Sequence, residues 1–369
     1  MNPLPIDDIS MMRLALRLAL RALGQTSPNP LVGAVLVKNG IIIGRGWHHR
    51  AGQPHAEIEA LNDARRQNHD PSGATLYVTL EPCCTRGRTP PCVDAIIAAG
   101  IRRVVVAASD PNPAHFGRGF TLLRQAGIVV DEGILSAESA RMNEAFNHWI
   151  VHRMPFVTVK AAMSLDGKIA TVSGESKWIT GPKARALGMK LRLASDAILV
   201  GVNTVVKDNP SLTFRGPSPK ELRRIVLDPT GRVPLDATII SDASARLTTV
   251  VVTGAVRTEQ IAALQERVRV LVAPEKNGKI NLSWLLTTLG GENVTALLVE
   301  GGGETNAQFL LQRLAQRIAF FYAPIVIGGR NAPNGVAGDG LQTLEEKLAC
   351  RDVAWRKLGT DLFLTGRVD

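Results

Sequence analysis

Aromatic side chains make up only 4% of the 369 residues, and lysine and arginine nowhere gather into a block. A chain so built offers few stacking platforms and no basic track, which argues against single-stranded nucleic acid as its partner. Uninterrupted apolar sequence is short as well. The richest stretch, MMRLALRLALRAL from Met11, is broken by Arg13, Arg17 and Arg21, so it reads as an amphipathic helix laying its Leu face on a sheet rather than as a signal peptide. No other stretch approaches the roughly 18 uncharged apolar residues of a membrane span. Four cysteines cannot frame so long a chain with disulfides, and three of them, Cys83, Cys84 and Cys92, crowd into ten residues. That clustering points to metal chemistry in a reducing compartment. The expectation is a cytoplasmic protein with neither a membrane nor a nucleic-acid partner.

What is present fits an ordinary globular composition, with 45% hydrophobic and 21% charged residues. At 369 residues the chain exceeds the roughly 250 to 300 at which single cores stop growing, so two domains are expected. The formal charge of +10 is unevenly placed: 15 Lys+Arg stand against 13 Asp+Glu over residues 1–150, and 28 against 20 over 151–369. A basic excess in the second part favours anionic small molecules such as phosphorylated substrates and cofactors.

Strand-like and helical patterns alternate throughout, which implies a layered α/β architecture. LVGAVLV at Leu31 and the Ile run at Ile41, joined by Lys38-Asn39-Gly40, read as a hairpin. A helix from Pro54 to Arg66, with Pro54 at its first position, precedes a strand at 74–80 and a helix from about 91 to 99 ended by Gly100. A strand at 102–108, a helix near 119–125 and a strand from Ile128 follow. Across residues 141–157 the pattern turns from helix to fresh strand, punctuated by Pro155, and the boundary is placed there to give domains 1–150 and 151–369. The second series runs from FVTVKAAM at Phe156 through a helix at 182–194 and strands at DAILVG, RRIVLD, LTTVVVTG, VRVLVA and TALLVEGG. A helix near 308–317 and strands at FFYAPIVIGG and DLFLTGRVD complete it.

Six of seven histidines precede residue 149, and the seventh, His152, sits at the boundary, so a His/Cys metal site belongs to the first domain. Its candidate ligands are His55, in Pro-His-Ala-Glu, with Cys83 of Glu-Pro-Cys-Cys and Cys92 of Pro-Pro-Cys. One imidazole and two thiolates leave the fourth tetrahedral position of Zn2+ open for water, the catalytic rather than the structural arrangement. Cys92 stands at an expected helix N-terminus, where the dipole favours a thiolate. Glu57 is placed to carry protons, as in the His-x-Glu and Pro-Cys signature of zinc deaminases. That signature closes with Cys-x-x-Cys, whereas eight residues separate Cys83 from Cys92 here. Cys84 competes with Cys83 as the ligand, and Cys83 is preferred because it directly follows Glu81-Pro82.

SPNPLVGAVLV, HAEIEAL, TLYVTLEPC, GRTPPC and SDPNP, in that order, resemble the deaminase half of the bifunctional riboflavin-biosynthesis deaminase/reductase family, within the cytidine-deaminase-like superfamily. The long spacing containing GRTPP is characteristic of that branch. The family usually carries Cys-Ser-His where this chain has Cys83-Cys84-Thr85, so the histidine at that place is missing. The resemblance implies a cytidine-deaminase-like α/β/α layered first domain and a pyrimidine contact at Asn29, which the residues alone would read as a turn between two prolines.

No Gly-x-Gly-x-x-Gly follows the first strand of the second domain, so a Rossmann fingerprint is lacking. Gly301, Gly302 and Gly303 do end TALLVE and open a helix, where bare backbone N–H groups meet a phosphate. VKAAMSLDGKIA, GESKWITG, GVNTVVKDNPSLTFR and LLVEGGG are similar, in order, to the reductase half of the same family. That half implies a dihydrofolate-reductase-like α/β fold using NADPH. The resemblance further implies that Ala162, Trp178, Thr204, Asp208 and Gly301 to Gly303 contact NADPH. Lys160, Ser176, Arg192, Leu212, Arg215 and Glu300 would surround a phosphoribosylaminopyrimidine substrate. The two arginines suit a phosphate because a guanidinium offers forked donors. Lys160, Asp208 and Glu300 are the candidate acids for the reduction.

Two other readings stay open on sequence alone: a nucleic-acid base deaminase with a binding module, and a non-enzymatic protein stabilised by zinc. A homo-oligomer is also left open.

Overall fold

Asn39 and Gly40 both take positive φ (51° and 73°), the left-handed pair that a two-residue hairpin turn needs, and they join β1 (Gly33–Lys38) to β2 (Ile41–Trp47). In this computed structural model, which describes residues 7–85, 90–113, 115–217 and 220–368, that hairpin begins the sheet of the first of two units, Met1–Arg153 and Met154–Asp369. Helix α1 (Asp8–Ala19) precedes it. After it come α2 (Ala56–Arg66), β3 (Thr75–Leu80), α3 (Cys92–Ala98), β4 (Arg103–Ala108), α4 (Arg118–Gln125), β5 (Val129–Glu132), α5 (Ser136–Met142) and α6 (Glu144–His152). α6 runs past residue 150, so the division between the units falls after that helix.

The five strands lie in the order β2-β1-β3-β4-β5, parallel from β3 onward. Alternation along β1 sends Ala34 and Leu36 to one core and Val35 to the other. The first core takes α2, α3 and α4, and the second takes α1, which makes a three-layer α/β/α sandwich. α1 buries Met12, Ala15, Leu18 and Ala19 and turns Arg13 and Arg17 to solvent, with Arg21 exposed just beyond its end, but its packing face is not mainly leucine. Small residues are needed there because a Cβ on Gly33 would stand 2.0 Å from the Ala15 carbonyl oxygen. The same close packing seats α2: a Cβ on Gly44 or Gly46 would meet the carbonyl oxygens of Ala60 or Ala56 at 2.3 and 2.2 Å. Pro54 is not the first helical residue. His55, with extended backbone, is the N-cap, and the helix starts at Ala56.

The second unit contains β6 (Phe156–Ser164), α7 (Pro182–Ala194), β7 (Ala197–Gly201), α8 (Val202–Asp208), β8 (Arg223–Leu227), α9 (Thr238–Ser241) and β9 (Thr248–Thr253). It continues with α10 (Thr258–Gln265), β10 (Arg269–Ala273), the short hairpin β11 (Glu275–Lys276) and β12 (Lys279–Ile280), α11 (Leu282–Gly291) and β13 (Ala296–Val299). Last come α12 (Gly303–Leu311), β14 (Arg317–Ala323), β15 (Cys350–Leu358) and β16 (Asp361–Val368). Its nine-stranded sheet has the order β10-β9-β8-β7-β13-β6-β14-β16-β15, parallel except where β16 pairs with β14 and β15. From β7 the strands step outward one way through β8, β9 and β10, while β13 and β6 lie on its other side. The chain thus reverses direction across the sheet beside β7, and open α/β sheets bind ligands at such a switch, beyond the carboxyl ends of the strands.

The expected helix near 308–317 is misplaced. α12 begins at Gly303 directly after the glycine loop, Arg313 takes a left-handed φ of 55°, and Arg317 already belongs to β14. Among the described residues no helix is long and apolar enough to cross a membrane.

Candidate active sites

Seating α2 on two glycines puts its N-cap, His55, beside the carboxyl end of β3 and the start of α3. There the ligand atoms of His55, Cys83 and Cys92 all lie within 4.8 Å of one another. His55 Nδ1 is 3.2 Å from Cys92 Sγ and 3.4 Å from Cys83 Sγ, and the Cys92 amide donates to Cys83 Sγ at 3.2 Å. Hydrogen bonds from Cys92 and His55 outweigh burial and hold the Cys83 thiol down at about 4. Bonding to Cys83, more than burial disfavours, raises His55. Cys84 lies outside this group and packs, partly buried, against the apolar core of the first unit. Residues 86–89 of the spacer between the cysteines are not among those described. An imidazole and two sulfurs, one already inclined to be a thiolate, form a soft donor set suited to zinc.

Glu57 follows His55 by two residues in the first turn of α2 and is only 3% exposed. Burial, and then the neighbouring Cys83 sulfur, push its carboxyl up to about 7. Glu57 and His55 line a cavity of about 380 Å³ together with Asn29, His48, Cys83, Thr85, Asp110, Asn112, His115 and Phe146.

His48 was not anticipated from the sequence, and it settles the orientation of Asn29. Its Nδ1 is 3.0 Å from the Pro54 carbonyl, which only accepts, so Nδ1 carries the proton. Nε2 then accepts from Asn29 Nδ2 at 3.0 Å, which turns the other amide atom, Oδ1, away from His48. Burial lowers His48, in keeping with the neutral ring. Glu81 was also missed as more than a flank. It is 5% exposed and accepts from the amides of Asp110, Gly117 and Gly119 at 2.9–3.0 Å, tying these residues to the segment between the end of β3 and Cys83. That loop lays His115 against Thr85, with Nδ1 to Oγ1 at 3.3 Å.

In the second unit the crevice beside β7 is a cavity of about 380 Å³. Of the residues anticipated from the sequence, Ser176, Thr204, Asp208, Gly302 and Gly303 line it. Two of the three glycines are required by packing: a Cβ on Gly301 would stand 2.5 Å from Thr305 Cβ, and one on Gly303 would stand 2.3 Å from the Asn334 carbonyl. Gly302 is the N-cap of α12 and brings no side-chain cap, so first-turn N–H groups are left for a ligand. A nucleotide's phosphates fit this bare cradle.

Lys160 on β6, Arg192 on α7 and Glu300 after β13 form a separate ion-pair cluster. Arg192 donates to both Glu300 oxygens at 2.9 and 3.0 Å, and Lys160 Nζ lies 3.6 Å away. Arg192 also donates to the Thr213 carbonyl at 2.9 Å, so its guanidinium is already engaged, unlike a waiting phosphate clamp. Arg215 is exposed, with no ion-pair partner among the described residues. Leu212 is 4% exposed in the apolar core with a φ of 50° and does not line the cavity. Trp178 is 70% exposed beneath the Arg185 guanidinium rather than being a core aromatic. Ala162 packs with Phe321 on β14.

Two family matches divide the chain as its geometry does. The cytidine and deoxycytidylate deaminase zinc-binding region matches residues 5–108, and the RibD C-terminal domain matches residues 155–364. Riboflavin biosynthesis protein RibD of Aquifex aeolicus is 45% identical over 361 residues, covering 97% of both chains. The chain belongs to the RibD family. The RibD of Actinobacillus pleuropneumoniae is 43% identical over 360 residues, 97% of this chain and 95% of that one. Among solved structures, Acinetobacter baumannii RibD superposes with a TM-score of 0.86 at 36% identity, covering 98% of this chain and 99% of its own. A Thermotoga maritima diaminohydroxyphosphoribosylaminopyrimidine deaminase/5-amino-6-(5-phosphoribosylamino)uracil reductase gives a TM-score of 0.83 at 33% identity, again covering 98% and 99%. As a RibD, the protein is a riboflavin-biosynthesis enzyme with a zinc-binding, cytidine-deaminase-like part and a dihydrofolate-reductase-like reductase part.

Proposed function

We propose that this RibD performs two successive steps on one phosphoribosylaminopyrimidine. In the first, 2,5-diamino-6-(5-phosphoribosylamino)pyrimidin-4-one loses its 2-amino group as ammonia by hydrolysis. In the second, the ribosyl side chain is reduced to ribityl at the expense of NADPH. The observation that carries the reading is one chain holding both a His55/Cys83/Cys92 donor set beside a buried acid and a glycine-cradled cavity at a sheet switch point.

His55, Cys83 and Cys92 would hold zinc, which supplies water activated for attack near neutral pH. Glu57 then has the carrier's work: it takes the proton of the attacking water and delivers it to the departing amine. Its elevated affinity for a proton suits that exchange, and a bound cation would bring it back down toward the ordinary carboxylate range. Asn29 Oδ1, oriented by His48, accepts from the pyrimidine edge.

In the reductase half, Ala162, Trp178, Thr204, Asp208 and Gly301 to Gly303 are assigned to NADPH, which supplies a hydride to the ribose C1 in its open, carbonyl-like form. Ser176, Leu212 and Arg215 would hold the phosphoribosyl group, and Arg215 is the guanidinium left for its phosphate. Lys160 and Arg192 outweigh the burial of Glu300 and hold its carboxyl down at about 2, so Glu300 is a poor proton donor. The Lys160 ammonium beside it is the better source of the completing proton, while Arg192 fixes Glu300 and the Thr213 backbone.

A cytoplasmic location and the lack of a nucleic-acid partner accord with this small-molecule chemistry. A homo-oligomer accords with β15, an exposed edge strand carrying Val353 and Trp355 at 47% and 60% exposure.

The test is a coupled assay on zinc-replete protein, following ammonia release and NADPH consumption from the diaminopyrimidine. Both signals are expected. Their joint absence would sink the reading, and salt-sensitive RNA or DNA binding in their place would favour a nucleic-acid deaminase.

A further inference from the structure

The reductase cavity carries three cations to which no role is assigned above: Lys207, Arg232 and Lys279. Among the described residues the side chains of these three have no ion-pair or hydrogen-bond partner. Two acids, Asp208 and Glu304, line the same cavity, and two of the three cations, Arg232 and Lys279, come from elements outward of both. Glu304 follows β13 and Asp208 ends α8 after β7, with Lys207 immediately beside it. Arg232 follows β8, and Lys279 stands on β12, which lies against β9. The order β9-β8-β7-β13 therefore puts the glycine cradle and both acids on the inner side, and Arg232 and Lys279 on the outer side. With neighbouring strands about 4.8 Å apart, β8, which Arg232 follows, and β9, against which β12 lies, stand about 10 Å and about 14 Å outward of β13.

A dinucleotide seated by its diphosphate on the first turn of α12 extends in two directions. The hydride-bearing end must reach the Lys160 and Glu300 cluster, which stands on β6 and after β13, inward of the cradle. The adenosine end must then run outward, past Leu227 and Pro229, to Arg232 and Lys279. NADP(H) differs from NAD(H) only there, by a phosphate on the adenosine 2′ oxygen in place of a hydroxyl.

We infer that Arg232 and Lys279 bind the adenosine 2′-phosphate and make this reductase select NADPH over NADH. The inference rests on the NADPH reading above. Arg232 offers a fork and Lys279 a point charge from the exposed β11–β12 hairpin, a pairing suited to a doubly charged phosphate.

The test is steady-state reduction of the supplied deaminated intermediate with each coenzyme, for wild type, Arg232→Gln, Lys279→Gln and the double variant. Calorimetry with 2′,5′-ADP and with 5′-AMP reports the same subsite directly. Each single variant should raise KM for NADPH about ten- to hundred-fold. KM for NADH and affinity for 5′-AMP should stay put, and kcat should move far less than KM. Lys276→Gln, on the same hairpin but outside the cavity, should leave the coenzyme ratio unchanged, and unchanged NADH-supported reduction reports that the reductase unit of every variant is folded. A double variant that keeps the wild-type NADPH-to-NADH ratio and its 2′,5′-ADP affinity would overturn the inference alone. A wild type that reduces with neither coenzyme would overturn the reading beneath it as well.

Discussion

Glu57 and Glu300 are both removed from solvent, and their neighbours drive them in opposite directions. Glu57 has burial and a sulfur anion against its charge, whereas Glu300 has an ammonium and a guanidinium in its favour. Replacing Glu57 with alanine should leave bound zinc stoichiometric, since it is not a ligand, while slowing ammonia release by about 10²- to 10⁴-fold. Elemental analysis beside an ammonia assay checks both halves of that statement, and wild-type ammonia release would remove Glu57 from the mechanism. For Glu300 the sign runs the other way. A carboxyl held below its unfolded value stabilises the fold above about pH 4.5, and that contribution is lost as pH falls toward 2. Glu300→Gln should cost about 3 kcal/mol near neutrality by stranding two partly buried cations. It should also flatten the acid dependence of hydrogen exchange in β13, and an unchanged acid profile would deny the pair that role. The His-x-Glu and Pro-Cys pattern made His55, Glu57 and Cys83 legible because deaminase chemistry fixes their spacing. Arg192's engagement with Glu300 was not legible, since its partner is 108 residues away and isolated arginines look alike. His48 escaped for a related reason: its importance lies in a hydrogen bond to the Pro54 carbonyl, which residue identity does not signal.

The element that matters most to the deaminase site is α2, and its placement depends on what β2 lacks. Gly44 and Gly46 bring the backbone of Ala56 and Ala60 so close that any side chain would strike a carbonyl. Gly46→Val should therefore push α2 off the sheet at an overpacking cost of about 1 to 3 kcal/mol. Because His55 and Glu57 ride on that end of the helix, zinc retention and ammonia release should both fall while reduction of supplied intermediate persists. Equal loss in both half-reactions would mean that the damage is general and that the glycines do not act through α2. Elements with strong local signals were readable: the Asn39-Gly40 hairpin, and α7, which begins at Pro182 and ends before Ser195. β15 was not, because almost every residue in it is exposed and an edge strand with two wet faces shows no alternation. The start of α12 at the glycine run was legible, but the helix was carried too far toward 317, because nothing in the residue types announces its end at Leu311 and the left-handed turn at Arg313.

Across the whole chain, each candidate site is built within one unit: the zinc-type cavity from residues between Pro28 and Phe146, and the cofactor cavity from residues between Ile169 and Pro333. Each unit also has apolar clusters of its own. With the described lining of each cavity drawn from a single unit, the expectation is that the intermediate passes between different molecules. The consequence is complementation in trans between two full-length variants. Glu57→Ala should reduce supplied intermediate but make none. Gly303→Val, whose side chain would enter the space held by the Asn334 carbonyl, should deaminate but not reduce. Mixed together with the diaminopyrimidine and NADPH, they should consume NADPH after a lag, and the lag should lengthen on dilution as released intermediate takes longer to build up. A mixture that stays silent, while each variant retains its own half-reaction, would mean that the intermediate does not reach the second site through solution.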